Sequence, residues 1–357
     1  MLAFAHTLGF RHRLCRENVK MKRLSPLIAL LISMLCAVPL AASAEQPIVI
    51  KFSHVVAVDT PKGKGAEFFA QRAAELTRGA VKVEVYANST LYRDKDEMEA
   101  LQLGAVEMLA PSLAKLGPLG VKEFEAFDLP YIFDNTEMLH KVTQGALGVS
   151  LLSKLEPKGI KGLAFWDNGF KSFSANRPLR SALDFRGLKM RIQSSKVLES
   201  QMRVLGALPQ VMAFSDVYQA LLTGVVDGTE NPHSNLYTQK MYEVQKHMTL
   251  TDHGYLGYAV ITNKRFWESL PSGVRSQLEQ AMKEATVFAN KIAQEENDKA
   301  LARIREIGKT QVHTPTVAER AELKKMMIKT HSEMASRIGK ETIEAIYKET
   351  GFDPARL

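Results

Sequence analysis

Leu188-Lys189-Met190-Arg191-Ile192-Gln193 is a short, mostly apolar run, and polar Ser194-Ser195 leads from it into a helical segment, Ser194–Leu205. A strand passing through a polar turn into a helix is the unit from which layered α/β folds are built, and its repetition decides the class here. Toward the N-terminus, Ile48–Phe52 is β-rich and ends at Ser53-His54. Thr60–Leu76 reads as a helix, with Pro61 in its first turn and Phe68, Phe69, Ala73 and Leu76 on one face. Val81, Val83 and Val85 alternate with Lys82 and Glu84, as on a half-buried strand. Asp94–Leu103 reads as a helix, and Val106–Leu109 and Gly162–Phe165 as short strands. In the other direction Ser215–Leu222 is helical, and Tyr255–Thr262 is the longest apolar strand. This alternation predicts α/β layers with a largely parallel sheet in each of two lobes.

The last third differs. From Pro271 to Ile307 there is no internal proline and no glycine after Gly273. Val274, Leu278, Ala281, Met282, Ala285, Phe288 and Ile292 form an apolar stripe, resumed at Leu301 and Ile304, and Gly308 supplies a stop. At about 1.5 Å per residue one helix here exceeds about 50 Å, long enough to brace two lobes. The alternative is two helices with a break near Glu295-Glu296-Asn297. Without an internal repeat or linker, the lobes are expected to interleave. Residues 45–168 with about 250–290 make lobe I, about 169–249 with about 291–330 make lobe II, and about 331–357 make a C-terminal helical segment.

The N-terminus has the layout of an export signal. Met21-Lys22-Arg23 is basic, Leu27–Leu40 is almost wholly apolar, and Ala42-Ser43-Ala44 offers the small residues a leader peptidase needs. Residues 1–44 are therefore read as a signal peptide cleaved after Ala44, with Met21 as the true start and the periplasm as the destination. The apolar run of about 14 residues is short of the roughly 20 that span a membrane. The full chain of 357 residues carries 47 Lys/Arg and 39 Asp/Glu, net +8. Removing the leader's six basic residues and one acid leaves 41 and 38, a net charge of +3. The basic balance thus belongs to the leader, which removes the main support for a nucleic-acid partner. Both cysteines, Cys15 and Cys36, also fall in the leader, so the remaining 313 residues form no disulfide.

Enzyme signatures are missing: there is no Gly-x-Ser-x-Gly elbow, phosphate loop or Gly-x-Gly-x-x-Gly after a strand. His247 and His253, six apart across an expected helix-to-strand turn, lack the spacing of a zinc helix, and no metal or cofactor is expected. Asp227 and Glu230 read first as turn and cap residues. Arg191 says more. An arginine on an apolar strand is costly unless something negative meets it, either a ligand carboxylate or an internal salt-bridge partner. Its planar fork suits a carboxylate through two parallel hydrogen bonds. His54 is read as a core or loop histidine, and Lys62 and Lys64 at a helix start hint at an anion nearby.

From near Ile48 to its end, the chain resembles the solute-binding subunits of tripartite ATP-independent periplasmic (TRAP) transporters, in the branch that binds four-carbon dicarboxylates. The resemblance rests on Lys51-Phe52-Ser53-His54-Val55, Thr60-Pro61-Lys62-Gly63-Lys64-Gly65, Met108-Leu109-Ala110-Pro111-Ser112 and Phe127-Asp128-Leu129-Pro130-Tyr131. Gly187 to Gln193, Val226-Asp227-Gly228-Thr229-Glu230-Asn231-Pro232 and Asp252-His253-Gly254-Tyr255 complete it. It implies a two-lobed, flytrap-like fold with a long bracing helix and a cleft between the lobes. It also implies that Arg191 pairs with a ligand carboxylate, supported by Asn231. Lys62, Arg93 and His253 are implied as further polar contacts, and Ser112 and Trp166 as wall residues. The implied role is a monomeric, non-enzymatic carrier that hands succinate, fumarate or malate to a membrane permease. A monocarboxylate ligand, a sensor as partner, and an enzyme acting on carboxylates are the competing readings.

Overall fold

A computed structural model describes residues 46–354; the expected leader, its start at Met21 and both cysteines lie outside the described residues. Nine strands form one sheet: β1 (Ile48–Ser53), β2 (Val81–Tyr86), β3 (Met108–Leu109), β4 (Ile160–Ala175), β5 (Lys189–Ile192), β6 (Leu208–Val211), β7 (Gly228–Asn231), β8 (His247–Asn263) and β9 (Gln311–His313). Their order is β2-β1-β3-β8-β4-β7-β5-β6, with β9 on the start of β8. The sheet is mixed. Parallel pairing joins β1 to β2 and β3 at one end and β5 to β6 and β7 at the other. Between these ends β3–β8, β8–β4 and β4–β7 are antiparallel.

The centre differs from the sequence expectation because β4 and β8 are much longer than their apolar cores. Gly162–Phe165 and Tyr255–Thr262 are only parts of strands of 16 and 17 residues. The extensions hold Asp167, Asn168, Lys171, Ser172, Thr249 and Thr251, which are buried yet polar and so carry no apolar strand signal. His247 and His253 consequently share one strand rather than flanking a turn. At about 3.3 Å per residue each strand spans roughly 50 Å and runs through both halves of the sheet.

The long helix Ser272–Ile307 matches that length, about 54 Å at 1.5 Å per residue. It is a single helix without the alternative break near Glu295-Glu296-Asn297. Asn297 stays helical because its buried amide is fully used: Nδ2 donates to Asn168 O at 2.5 Å and to Ala293 O at 2.8 Å, and Oδ1 accepts from Ser234 N at 2.9 Å. Beside it Gly169 lies at φ +149°, where a Cβ would sit 2.6 Å from Asn297 Nδ2. The β4–β8 register shifts here, between Asp167 and Gly169.

The helix Pro61–Leu76 starts as its sequence dictates, with Pro61 in the first turn and Thr60 Oγ1 accepting from Gly63 N at 3.1 Å. It lies along the long helix through a stacked Phe68–Phe288 pair, centroids 4.5 Å apart, and an Arg72–Glu284 ion pair at 2.6 Å. Apolar cores surround Phe124, Phe127 and Leu109, and Ile50, Phe69 and Leu278. Two more surround Phe185, Met190 and Met202, and Val217, Leu236 and Met248. No helix among the described residues is long and apolar enough to cross a membrane.

Candidate functional site

Open α/β sheets bind ligands beyond the carboxyl ends of their parallel strands. Here β1, β3, β5 and β7 all deliver residues to one recess: Val55 and Val56 after β1, Ser112 after β3, Arg191 and Gln193 at the end of β5, and Asn231 on β7. Lys62 reaches it from the first turn of Pro61–Leu76, and Tyr258 from β8. Asn235, from the helix His233–Thr238, also lines it. The recess encloses about 20 Å³, and a cavity of about 510 Å³ shares Asp94, Lys115, Arg191 and Gln193 with it.

Two cations define its electrostatics. Arg191 is buried between Met190 and Ile192, and its Nε and Nη2 both donate to Met212 O, at 3.1 and 2.8 Å. Its guanidinium lies 5.6 Å from the centroid of the Phe214 ring. Among the described residues Arg191 makes no ion pair, which removes the internal-salt-bridge reading left open by the sequence. Burial lowers its pKa, opposed by the more distant charges of Asp94 and Glu230. Lys62 is fully buried, donates to Ala110 O at 2.9 Å and lies 3.7 Å over the Tyr258 ring. Burial brings its pKa down to about 7; Glu97 and Asp94 pull it up and Lys115 pushes it further down. His54 is buried nearby, its pKa lowered to about 3 by burial and then by the Lys62 charge, so it is neutral.

By contrast, Lys115 is neutralised by Asp94 and by Glu97, the latter at 2.5 Å. Asp94 Oδ2 also accepts from Phe214 N at 2.7 Å, and Gln193 Nε2 donates to Ser112 Oγ at 2.7 Å. Asn231 Nδ2 donates to Thr229 Oγ1 at 3.2 Å.

Of the residues singled out from the sequence, Arg191, Asn231, Lys62 and Ser112 line one recess, and three others do not. Arg93 is exposed, bonded through Nη2 to Ser215 Oγ at 2.9 Å and to Asp216, so its fork is engaged across the mouth. His253 lies deeper in the sheet: Nε2 meets Glu230 Oε2 at 2.8 Å, Nδ1 meets Thr251 Oγ1 at 2.7 Å, and the ring stacks on Phe173. Lys171 pairs with the other oxygen of Glu230 at 2.5 Å, and although burial alone raises it, this company holds the Glu230 carboxyl down to about 2. Trp166 packs against Phe52, and its Nε1–H donates to Thr286 Oγ1 at 3.0 Å. Its indole is an interior wedge between sheet and helix.

Sequence reasoning missed Asp94, Lys115, Gln193, Asn235 and Tyr258. Lys115 left a signal, a charge within Leu113-Ala114-Lys115-Leu116, and Gln193 is the polar end of the Arg191 strand. Asn235 and Tyr258 resemble any polar helix residue and any strand aromatic.

Against known proteins, the model of the family described as "Bacterial extracellular solute-binding protein, family 7" matches residues 52–338. The chain is 65% identical over 319 residues to a C4-dicarboxylate-binding periplasmic protein, DctP, of Rhodobacter capsulatus, spanning 89% of this chain and 95% of that one. It is similar to the crystal structure of a TRAP periplasmic solute-binding protein from Shewanella oneidensis with bound succinate: TM-score 0.83, 39% identity, 85% of this chain and 99% of that one. A TRAP solute-binding protein from Pseudomonas aeruginosa with bound L-malate gives TM-score 0.79 and 42% identity, over 80% of this chain and 100% of that one.

Proposed function

The chain belongs to family 7 of the bacterial extracellular solute-binding proteins, and from that premise we propose that it captures a small C4-dicarboxylate in the periplasm and delivers it to a TRAP membrane permease. The observation that carries this reading is the pair of buried cations, Arg191 and Lys62, which face one recess and have no carboxylate partner among the described residues. A buried charge without a counter-ion is unfavourable, and two of them at one recess suit a dianion. Arg191 takes one carboxylate through its fork, and Lys62 takes the other. Asn231, which lines the same recess, supports the carboxylate at the Arg191 end, and Ser112 and Gln193 supply polar wall.

Binding and delivery need no chemistry on the ligand, which separates this reading from an enzyme acting on carboxylates. The recess, at about 20 Å³, has room for about one water molecule, so entry requires the two ends of the sheet to part. The lobes proposed are residues 45–168 with about 250–290 and about 169–249 with about 291–330. The register shift at Asp167–Gly169 supports a boundary there. Export through a leader ending at Ala44 completes the reading.

A thermal-shift panel on protein freed of ligand by unfolding and refolding tests it. Succinate, fumarate or malate at 100 times its dissociation constant should stabilise the fold by about 2.7 kcal/mol. A response confined to monocarboxylates would move the assignment to that class, and conversion of fumarate or malate to product would make the protein an enzyme.

A further inference from the structure

We propose that Asn235 and Tyr258 form a hydroxyl-reading position in the recess, so that the protein prefers 2-hydroxy C4-dicarboxylates, represented by L-malate, over succinate. The inference rests on the reading of the recess as a dicarboxylate site. Among the described residues lining the recess, these two carry the buried oxygens that lack a hydrogen-bond partner: Asn235 Oδ1 and Tyr258 Oη. Their side chains are 1% and 2% exposed, so bulk water does not serve them. A buried polar group left without a partner is costly, and native structures keep few of them outside functional positions.

The chemistry of the missing partner follows from what each atom accepts or gives. Arg191 and Lys62 offer only N–H donors, and two carboxylates, which are acceptors only, satisfy them. Asn235 Oδ1 is itself an acceptor and needs a donor, which no ionised carboxylate has. A hydroxyl both gives and takes. It can donate to Asn235 Oδ1 and accept from the Tyr258 hydroxyl, whereas the methylene of succinate does neither. The Asn235 NH2 faces the Tyr258 oxygen, so Asn235 Oδ1 is the acceptor left without a donor. Tyr258 is also fixed from below, because Lys62 Nζ lies 3.7 Å from its ring centroid, so its hydroxyl has a set position relative to the cation. Sites built around a ligand hydroxyl discriminate strongly against the analogue lacking it, because the site's own polar atoms are then stranded.

The rival arrangement is the flipped amide, with oxygen toward Tyr258 and NH2 toward the ligand. In that arrangement the pair satisfies itself, the free NH2 serves any carboxylate, and malate and succinate bind alike.

Calorimetric titration of ligand-free protein with L-malate and with succinate separates the two. The wild type should bind L-malate about tenfold or more tightly than succinate. Asn235→Leu, which keeps the volume and removes the acceptor, should bring the ratio to within about twofold, mainly by loss of malate affinity. Tyr258→Phe keeps Asn235 Oδ1 and should retain most of the preference. Equal affinities in the wild type, or a malate preference that persists in Asn235→Leu, would overturn the proposal. Should Asn235→Leu fail to fold, the wild-type ratio alone decides. If neither ligand binds the wild type, the dicarboxylate reading fails and this proposal with it.

Discussion

Arg191 carries a charge on a strand whose neighbours, Met190 and Ile192, are fully buried, and its nearest anions act only at a distance. Truncating it to alanine should weaken succinate binding by about 2–5 kcal/mol, because a ligand carboxylate loses its fork in a dry site; calorimetry measures this. Arg191→Lys should recover little, since an ammonium cannot make two parallel bonds and also hold Met212 O. Lys62 gives the site a pH dependence. With a pKa near 7 it is mostly neutral at pH 8 in the free protein, and a bound carboxylate raises that value. Binding at pH 8 should therefore take up close to one proton, and affinity should fall by up to about tenfold between pH 8 and pH 9. Titrations in two buffers of different ionisation enthalpy count the proton, and an uptake of zero would mean that Lys62 does not meet the ligand. Without ligand the sign reverses into stability. The unfolded chain keeps this lysine protonated up to its ordinary value of 10.5, so the lysine's contribution to stability grows as pH rises from about 7 toward 10.5. At this scale the sequence was informative where a residue broke its local pattern. Arg191 on an apolar strand did so, and Lys62 at a helix start did so weakly. Asn235 and Tyr258 broke nothing, and Arg93, His253 and Trp166, expected from the resemblance as contacts, do not line the recess.

The elements that matter most are the three spans of roughly 50 Å: β4, β8 and the helix Ser272–Ile307. The helix was legible in part: the segment lacks proline throughout, but its apolar stripe lapses between Ile292 and Leu301, which left a break open until Asn297 was seen to bond within the helix. The full lengths of β4 and β8 were not legible, because their second halves bury polar side chains that pair with one another. Lys171 on β4, Glu230 on β7 and His253 on β8 tie three strands together directly beside Asn231. Lys171→Met leaves the buried Glu230 without its full counter-charge and should destabilise the protein by about 3–5 kcal/mol in urea unfolding. Asn297 links the long helix to β4 and to Ser234. Asn297→Leu strands Asn168 O and Ser234 N and crowds Gly169, so a loss of about 2–4 kcal/mol is expected.

For the whole molecule, the alternation of strands and helices foretold the α/β class, and the parallel ladders occur at both ends of the sheet. Their joining into one mixed sheet was illegible, since it depends on β4 and β8 crossing the whole molecule. The parting proposed for ligand entry would break the contacts of Arg93 with Ser215 and Asp216, Asp94 with Phe214 N, and Gln193 with Ser112. Since Arg93 is exposed and bonded to protein, Arg93→Ala should change the equilibrium affinity by less than about threefold. A larger loss would restore it as a ligand contact.

The specificity proposed for this protein depends on one dianion bridging Arg191 and Lys62. The most direct measurement is calorimetric titration of ligand-free protein with succinate and with butyrate, which has the same carbon chain and one carboxylate fewer, in the wild type and in Lys62→Met. The wild type should bind succinate at least about a hundredfold more tightly than butyrate, and Lys62→Met should lose most of that difference. Butyrate binding as tightly as succinate, or a difference untouched by Lys62→Met, would show that no dianion bridges the two cations.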